Sequence, residues 1–429
     1  MTAIFIGIDL GTSGCRACAI DEQANIVGRS DKPLPASISR NNHITQKPDD
    51  WWQVCQAVLA DTLNKIDRNK VQAIAVDGTS GTILLCDENG KPLTDGYMYN
   101  DNACQHEAAL IKKIAPKNSG AHGASAGLAK CLFLKDQLRL PHLKSKQNNV
   151  VCLNQADWIA GKLLGSFDKS DENNALKLGY DPVEQQWPEW LKQLTCYSVL
   201  PKHVLQPGDI SGNINQRIAD EFMLPHDTKI VAGTTDSIAA FIATGCETTG
   251  EAVTSLGSTL AIKLISDKPV FAPEYGVYSH RLGNKWLVGG ASNTGGAVLR
   301  KFFSADQITG LSHNINPEKS TGLDYYPLTT PGERFPINDP NKQPVLSPRP
   351  KDDSLFLQAM LEGIARIEKM AFDKLAELGA PYPSRIITMG GGSQNEIWRI
   401  IREKTCKIPI SNARISEAAY GTACLARLK

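Results

Sequence analysis

Three loops in the chain combine glycine with hydroxyl residues directly after an apolar run. They span residues 11–14, 257–259 and 390–393. Glycine lets the backbone come close to a ligand, and consecutive N–H groups form a concavity that binds anions. A single loop of this kind would be weak evidence, because glycine turns also simply connect strands. Three in one chain favour the binding of phosphate groups.

Asp9 ends the first apolar run and directly precedes the first of these loops. A carboxylate beside phosphate repels it unless a cation lies between them. Mg²⁺ that bridges the two through water would remove this conflict, so Asp9 is a candidate magnesium residue. The alternative is an aspartate that only caps a turn, which is common beside glycine.

Asp236 follows an apolar run at residues 229–232 and begins a predicted helix at residues 237–243. A helix N-terminus lowers the pKa of a carboxyl group, so we expect Asp236 to be ionised at neutral pH. Such a group can orient a hydroxyl and accept its proton late in a phosphoryl transfer. The alternative is an aspartate that only caps the helix.

Other well-known site patterns are missing from the sequence. It has no G-x-x-x-x-G-K-[ST] and no G-x-G-x-x-G after the first strand, which excludes a Walker-type site and disfavours a Rossmann dehydrogenase. It also lacks H-E-x-x-H and paired Cys/His spacing, so no zinc site is expected.

The elements that would position these residues are mostly strands followed by glycine turns. Apolar strands are predicted at residues 4–8, 15–20, 71–76 and 385–389. The order strand, glycine turn, strand at the start recurs at residues 251–266, which indicates two related lobes. A long helix is predicted at residues 353–378, and residues 313–351, rich in Pro, Gly and Asn, are predicted to form a surface excursion.

The composition limits the partners. The 429 residues predict about two to three domains. A net charge of +1 gives no field that would recruit nucleic acid or an anionic membrane. No apolar run approaches the ~18–20 residues of a membrane span, and no leader is recognised. Eleven dispersed cysteines are typical of reduced thiols, so we expect a cytoplasmic protein.

Five segments along the chain form one set of motifs. They are FIGIDLGTS (5–13), GTTDSIAA (233–240), SLGST (255–259), MGGGSQN (389–395) and EAAYGTA (417–423). They resemble motifs of the FGGY carbohydrate kinases, which share a superfamily with actin and the heat-shock chaperone ATPases. They occur in the family's order and cover essentially the whole chain.

This resemblance implies an α/β fold of two lobes, each with a ribonuclease-H-like core, and ATP in the cleft between them. The implied sugar-binding lobe with the base comprises residues 1–243 and 415–429, because the last helix is expected to return to it. The implied nucleotide-binding lobe comprises residues 244–414.

The resemblance also implies roles for individual residues, with ATP and Mg²⁺ as cofactors. Asp236 is the catalytic base and contacts the sugar, together with Asp9, which also positions Mg²⁺ through water. The residues expected to contact phosphate or the nucleotide are Gly11, Thr12, Ser13, Gly233, Thr234, Gly257, Ser258, Thr259, Gly390, Gly391, Gly392 and Asn395.

One segment departs from the typical xylulose kinases, which carry Met-His-Gly where this chain has DGTSGT (77–82). This version, like NNALKLGYD (173–181), resembles a branch of D-ribulose or D-xylulose kinases from plants and cyanobacteria. Ser80 is therefore a candidate sugar contact, although a turn hydroxyl can also bond its own backbone.

We expect phosphorylation of D-ribulose at O5, by a monomer or homodimer that binds neither nucleic acid nor membrane. D-xylulose and other sugars or polyols remain alternatives, because a few contacts separate such substrates. A nucleotide-binding scaffold without kinase activity is the alternative from another class, since a fold does not dictate a function.

Overall fold

The chain divides into two structural units in a computed structural model that describes residues 2–138 and 149–427. Unit 1 comprises Met1–Ala243 and Glu417–Lys429, and unit 2 comprises Thr244–Ser416. Among the described residues, no helix is both long and apolar enough to cross a membrane. Both units build helices around mixed β-sheets, so the predicted two-lobed α/β architecture is confirmed.

The strands and helices are numbered along the chain. The strands are β1 Ile4–Leu10, β2 Gly14–Asp21, β3 Ile26–Pro33, β4 Ile38–Arg40, β5 His43–Gln46, β6 Val71–Gly78, β7 Ile83–Asp87, β8 Gly96–Tyr97, β9 Val150–Asn154, β10 Lys169–Asp171, β11 His203–Leu205, β12 Ile210–Asn213, β13 Lys229–Thr235, β14 Glu251–Leu256, β15 Leu260–Ser266, β16 Tyr278–Leu282, β17 Lys285–Ser292, β18 Arg385–Met389 and β19 Ile410–Asn412. The helices are α1 Pro48–Leu63, α2 Gln105–Ile114, α3 Gly127–Gln137, α4 Gln155–Leu164, α5 Glu172–Ala175, α6 Gln216–Phe222, α7 Asp236–Ile242, α8 Gly296–Arg300, α9 Ala305–Ser312, α10 Asp353–Glu377, α11 Glu396–Cys406 and α12 Ala418–Arg427.

The main sheet of unit 1 has the order β12-β13-β6-β1-β2-β3. Strands β1, β2 and β3 form an antiparallel meander, whereas β1, β6 and β13 run parallel. The three parallel strands are almost continuously buried, as expected for strands covered on both faces. One face packs against α1 and α4 through a core that includes Trp51 and Trp158, and α12 packs on the other.

The main sheet of unit 2 has the order β16-β17-β15-β14-β18-β19. Strands β17, β15 and β14 are antiparallel neighbours, and β14, β18 and β19 run parallel. Apart from the edge strands β12 and β16, this repeats the order and directions of the unit 1 sheet. The glycine turn after β14 thus occupies the place of the turn after β1, which supports the predicted relation between the two lobes.

Helix α12 joins unit 1 through contacts at the level of the backbone. A Cβ built on Gly7 of β1 would lie 2.1 Å from the carbonyl oxygen of Ala419. A Cβ built on Gly421 would lie 1.8 Å from the carbonyl oxygen of Ala239 in α7. Only glycine allows such an approach at these two positions.

Residues 313–351 contain neither a helix nor a strand, as their composition predicts. They do not form a simple surface excursion, however, because Tyr325 and Phe335 are 2% and 1% exposed and pack into the cores of unit 2. The prediction of a surface segment is therefore wrong for these residues. A composition rich in Pro and Gly indicates irregular backbone but does not indicate where the interspersed aromatic side chains pack.

Candidate active site

Three aspartates meet at one edge of the unit 1 sheet. Asp9 lies opposite Asp77 in the parallel pairing of β1 and β6, and Asp77 lies opposite Thr234 of β13. Asp236 is the second residue after Thr234 and the first of α7. The carboxyl ends of parallel strands form the edge where α/β sheets bind ligands. The sheet thus collects acidic side chains that are far apart in sequence.

Asp9 and Asp77 form a buried pair of carboxyl groups that interact with each other. Arg16 Nη1 donates to Asp9 at 3.1 Å, and the Thr422 hydroxyl donates to Oδ2 of Asp77. Burial raises the pKa of Asp9, and burial together with the negative charge of Asp9 raises the pKa of Asp77 well above its usual range. Among the described groups no N–H or hydroxyl reaches Oδ1 of Asp77. Of the two carboxyl groups, Asp77 is therefore the one that is harder to ionise.

Asp236 is partly exposed, and Thr235 is the residue that precedes the helix. The carboxylate accepts from the backbone N–H of Ser237 at 2.6 Å. Its negative charge adds to the elevation of the Asp77 pKa, and it also interacts with the ammonium group of Lys177. Asp236 thus combines access to solvent with a nearby cation.

Gly233 and Thr234 have roles inside the protein. A Cβ on Gly233 would lie 1.7 Å from the Val76 carbonyl oxygen, so β13 and β6 could not approach each other with any other residue there. The Thr234 hydroxyl accepts from Asn173 Nδ2 at 3.0 Å, and its carbonyl accepts from Asn174 Nδ2 at 3.2 Å. These contacts fix the end of β13 ahead of Asp236. Thr234 is fully buried, and the phosphate contacts expected of Gly233 and Thr234 stay a prediction.

Ser80 lies in a turn between β6 and β7. Two lysines donate hydrogen bonds to backbone carbonyls of this turn. Lys130 Nζ donates to the Gly81 carbonyl at 2.9 Å, and Lys177 Nζ donates to the Ser80 carbonyl at 3.1 Å. Across the turn, the hydroxyls of Thr79 and Thr82 bond each other at 2.6 Å. The Ser80 hydroxyl is shielded from solvent without a partner among the described residues. It does not bond its own backbone, which was the alternative interpretation.

The turn at Gly11, Thr12 and Ser13 is held by its backbone. Gly11 N–H donates to the Gly14 carbonyl at 3.0 Å, and the Thr12 carbonyl accepts from Gln46 Nε2 at 2.9 Å. Thr12 is partly exposed and Ser13 is exposed. Backbone hydrogen bonds therefore hold the turn, and the side chains of Thr12 and Ser13 remain accessible to solvent.

Unit 2 contains a cavity of about 660 Å³ lined by two of the predicted glycine loops. Gly257, Ser258, Gly391, Gly392 and Asn395 line it, whereas Thr259 and Gly390 do not. The volume lies in the range typical of pockets for small molecules, about 300–1,000 Å³. The remaining lining includes the apolar side chains of Leu299, Ile308 and Trp398.

The loop after β18 takes its shape from its first glycine and from Asn395. Gly390 has φ +86°, and a Cβ there would lie 2.9 Å from the Leu256 carbonyl oxygen. The Asn395 side chain accepts from the N–H of Trp398 at 3.0 Å and thereby caps α11, while its Nδ2 donates to the Ser312 hydroxyl at 2.9 Å. Asn395 thus ties the loop to α9 on the other side of the cavity.

Arg300 supplies a positive charge at the other end of the cavity. Its Nη2 donates to the Ser258 hydroxyl at 2.9 Å, and Gly296 N–H donates to the Gly257 carbonyl at 2.9 Å. A guanidinium beside exposed glycine backbone suits an anionic group. An apolar slot that ends in a cation and a glycine turn fits a nucleotide with its phosphates at the turn.

Sequence reasoning missed three of these side chains: Asp77, Lys177 and Arg300. Asp77 and Lys177 lie within segments that resemble a branch of the family, but the resemblance gives them no role. Arg300 ends α8, which begins at the glycine pair Gly295–Gly296 after β17. This glycine pair between a strand and a helix was a sequence signal that could have pointed to Arg300.

Comparison with known proteins agrees with this geometry. Residues 4–243 match the model of the N-terminal domain of the FGGY family of carbohydrate kinases, and residues 252–428 match the C-terminal domain. The xylulose kinase of Escherichia coli K12 is 24% identical over 411 residues, which are 92% of this chain and 83% of that protein. The gluconokinase of Bacillus subtilis 168 is 23% identical over 430 residues, 93% of this chain and 82% of that protein.

Solved structures share the fold. The crystal structure of Plasmodium falciparum glycerol kinase with ADP has a TM-score of 0.84 and 19% identity, and the match covers 100% of this chain and 89% of that one. The two domain models together span nearly the entire sequence in the family's order. The resemblance noted in the sequence is thereby confirmed: the chain belongs to the FGGY family of carbohydrate kinases and is a sugar kinase.

Proposed function

We propose that the protein transfers the γ-phosphoryl group of ATP to O5 of D-ribulose and so forms D-ribulose 5-phosphate. The observation that carries the proposal is the group of three aspartates at the carboxyl edge of the unit 1 sheet, of which only Asp236 is partly exposed. One accessible carboxyl group beside two buried ones is an arrangement that suits a base for one hydroxyl group.

In this proposal Asp236 orients the accepting hydroxyl and takes its proton as the O–P bond forms. Phosphoryl transfer needs little proton removal before the transition state, so an ionised aspartate of ordinary basicity is sufficient. Ser80 and Asp9 contact other oxygens of the sugar. The unpartnered hydroxyl of Ser80 supports such a contact, because a buried polar group is normally satisfied by a partner.

The residues around Asp9 fit a magnesium ion. Two carboxyl groups meet there, Arg16 contacts that of Asp9, and Oδ1 of Asp77 has no donor among the described groups. Carboxylate oxygens are the ligands that Mg²⁺ takes in proteins, often through water. When bound, the ion would neutralise charge on the phosphates. Asp9 would hold it, and Arg16 would keep Asp9 oriented.

The cavity of unit 2 would hold ATP. Gly257 and Ser258 would contact the phosphates, with Arg300 as their counterion. Gly391, Gly392 and Asn395 would line the space for the nucleoside. The Plasmodium falciparum glycerol kinase was crystallised with ADP, which is consistent with this assignment.

All eleven cysteines are free thiols, in keeping with the predicted cytoplasmic location.

Two other acceptor classes follow from the names of the relatives. Xylulose kinase and gluconokinase are similar to this chain at nearly the same identity, so D-xylulose and D-gluconate are the alternatives to D-ribulose. A nucleotide-binding scaffold without kinase activity remains the alternative of another class. Such a protein would not need a base beside the turn that carries Ser80.

ADP production with ATP and Mg²⁺ tests the proposal. The acceptors are D-ribulose, D-xylulose, D-gluconate, L-ribulose, glycerol and a blank without sugar, each with wild type, Asp236→Asn and Asp220→Asn. Asp220 is an exposed carboxylate on α6 that pairs with His226, so it is the matched control. We expect one ketopentose to stimulate turnover and Asp236→Asn to lower it by about 10²–10⁴-fold with nucleotide binding retained.

Two results would contradict the proposal. Near-normal turnover in Asp236→Asn would remove this residue from the mechanism. ADP production that no acceptor raises above the blank, in a protein that binds ATP, would favour the scaffold. Stimulation by D-xylulose or D-gluconate alone would retain the kinase and replace the substrate.

A further inference from the structure

Lys177 lies against the turn that carries Ser80. It belongs to a short 3₁₀ turn, Leu176–Leu178, directly after α5. Its Cδ is 3.2 Å from the place where a Cβ on Gly81 would be, so the aliphatic stem covers this glycine. Gly81 has φ +87°, a backbone conformation that favours glycine. The lysine and the turn thus form one packed unit.

The ammonium group of Lys177 reaches the neighbourhood of the proposed base. It interacts electrostatically with Asp236, which opposes the lowering of the Lys177 pKa by burial. The second lysine of this region, Lys130, repels it. Lys177 is therefore held between an anionic group that attracts it and a cationic group that repels it, in a partly buried place.

The ammonium group has spare hydrogen-bonding capacity. Within residues 2–138 and 149–427, the Ser80 carbonyl at 3.1 Å is the acceptor that the structure gives to Lys177 Nζ. An ammonium group has three N–H donors. Lys130, by comparison, donates to two carbonyls, those of Gly81 and Met98. Lys177 thus retains two donors beside Ser80 and Asp236, where the proposed function requires the sugar to bind.

We propose that Lys177 is a specificity-determining residue that binds an acceptor-only oxygen of the substrate, next to the hydroxyl group that Asp236 deprotonates. An ammonium group donates and never accepts, so it pairs best with an oxygen that carries no proton of its own. Carbonyl oxygens of ketoses and carboxylate oxygens of sugar acids have this property, whereas the hydroxyls of polyols do not. This inference rests on the proposed kinase function and narrows its substrates to keto sugars or sugar acids.

The test compares each keto sugar with the polyol in which a hydroxyl replaces the carbonyl. D-ribulose and ribitol form such a pair, and D-gluconate represents the sugar acids. Ribitol is measured as a substrate or, if it is not turned over, as a competing inhibitor. Lys177→Met keeps the stem that covers Gly81 and removes the charge. Lys177→Arg restores a cation with other geometry. Lys169→Met is the matched control, because Lys169 is also partly buried and donates to a carbonyl, that of Ser211, at 2.6 Å.

We expect Lys177→Met to lower kcat/KM by about 10–100-fold for whichever of D-ribulose or D-gluconate is the substrate, as for the loss of a hydrogen bond from a charged donor. The KM for ATP and the constants for ribitol should change less than about threefold, and Lys177→Arg should recover part of the loss. Equal losses for the carbonyl substrate and ribitol would overturn the inference, because they would show a merely structural role. An unchanged kcat/KM would overturn it as well.

Failure of the kinase function is recognised separately. If wild type turns over no acceptor, calorimetric titration of D-ribulose, D-gluconate and ribitol into the protein with ADP measures binding directly. Weaker binding of only the carbonyl or carboxylate compound in Lys177→Met then supports the inference without the kinase. No binding to wild type, or binding that Lys177→Met leaves unchanged, overturns it.

Discussion

Replacement of Gly421 by alanine tests the attachment of α12 to unit 1. The added Cβ would lie 1.8 Å from the Ala239 carbonyl oxygen and 2.9 Å from the backbone nitrogen of Ala243. A Cβ atom essentially never lies within 3.0 Å of a heavy atom to which it is not bonded. Both neighbours are backbone atoms of α7 and its end, so no side chain can move aside. Helix α12 must shift instead.

The size of the effect follows from this geometry. Overpacking of a tight contact costs about 1–3 kcal/mol, and the displaced helix also carries Thr422 away from Asp77, which adds ~1 kcal/mol or more. The higher helix propensity of alanine returns at most ~1 kcal/mol. We therefore expect a net loss of about 1–3 kcal/mol in the free energy of unfolding of unit 1. A domain of this size loses roughly 2–4 °C in Tm per kcal/mol, which gives a decrease of about 2–12 °C.

Differential scanning calorimetry of wild type, Gly421→Ala and Gly310→Ala measures this decrease. Gly310 is the matched control because it also lies in a helix, α9, and a Cβ there would have nothing within 4 Å. Gly310→Ala should leave Tm unchanged or raise it slightly, since alanine is the better helix former. If both variants unfold with wild-type Tm, the backbone contact between α12 and α7 does not exist as described.

Further predictions concern Asp9, Arg300 and Lys130. Asp9→Asn should raise the Mg²⁺ concentration needed for half-maximal ADP production, and an unchanged magnesium titration would remove Asp9 from the metal site. Arg300→Gln should raise the KM for ATP by about tenfold and leave the KM for sugar unchanged, because a phosphate counterion is lost; an effect on the sugar instead would contradict this assignment. Burial lowers the pKa of Lys130 from 10.5 to about 7, so between these pH values the folded state binds fewer protons than the unfolded state. Stability should therefore rise with pH across this window, and Lys130→Met should flatten the rise in urea denaturation midpoints measured at about pH 7.5, 8.5 and 9.5.

The sequence was sufficient where a feature depends on neighbouring residues. The run of β-branched and other apolar residues in β1 and β14, followed by glycine, predicts a strand and a turn in both places. Asp9 was singled out because it ends such a run, and Asp236 because it follows the run at residues 229–232 and begins a helix. Gly390 and Asn395 were found because a glycine loop before a helix has a local pattern of its own.

Contacts between distant segments were not predictable in the same way. The pairing of Asp77 with Asp9 depends on the register of two parallel strands separated by more than sixty residues. Lys177 reaches Ser80 across 97 positions of sequence. Tertiary packing determines such contacts, and a single sequence shows no periodic pattern that would predict them. The burial of the aromatic residues Tyr325 and Phe335 escaped prediction for the same reason.

Helix α12 makes the completion of unit 1 depend on the order of protein synthesis. The helix covers Gly7 and its neighbours in β1, yet it is synthesised only after all of unit 2. At ~5–20 residues per second, the sheet of unit 1 waits roughly 9–37 s for this helix. Unit 2 is continuous in sequence and can fold during that interval. The nascent chain therefore passes through a state in which the apolar face around Ile20, Ala75 and Val231 is uncovered. We expect chaperones to bind this apolar face during translation. The contact between the Thr422 hydroxyl and Asp77 is then one of the last to form in folding.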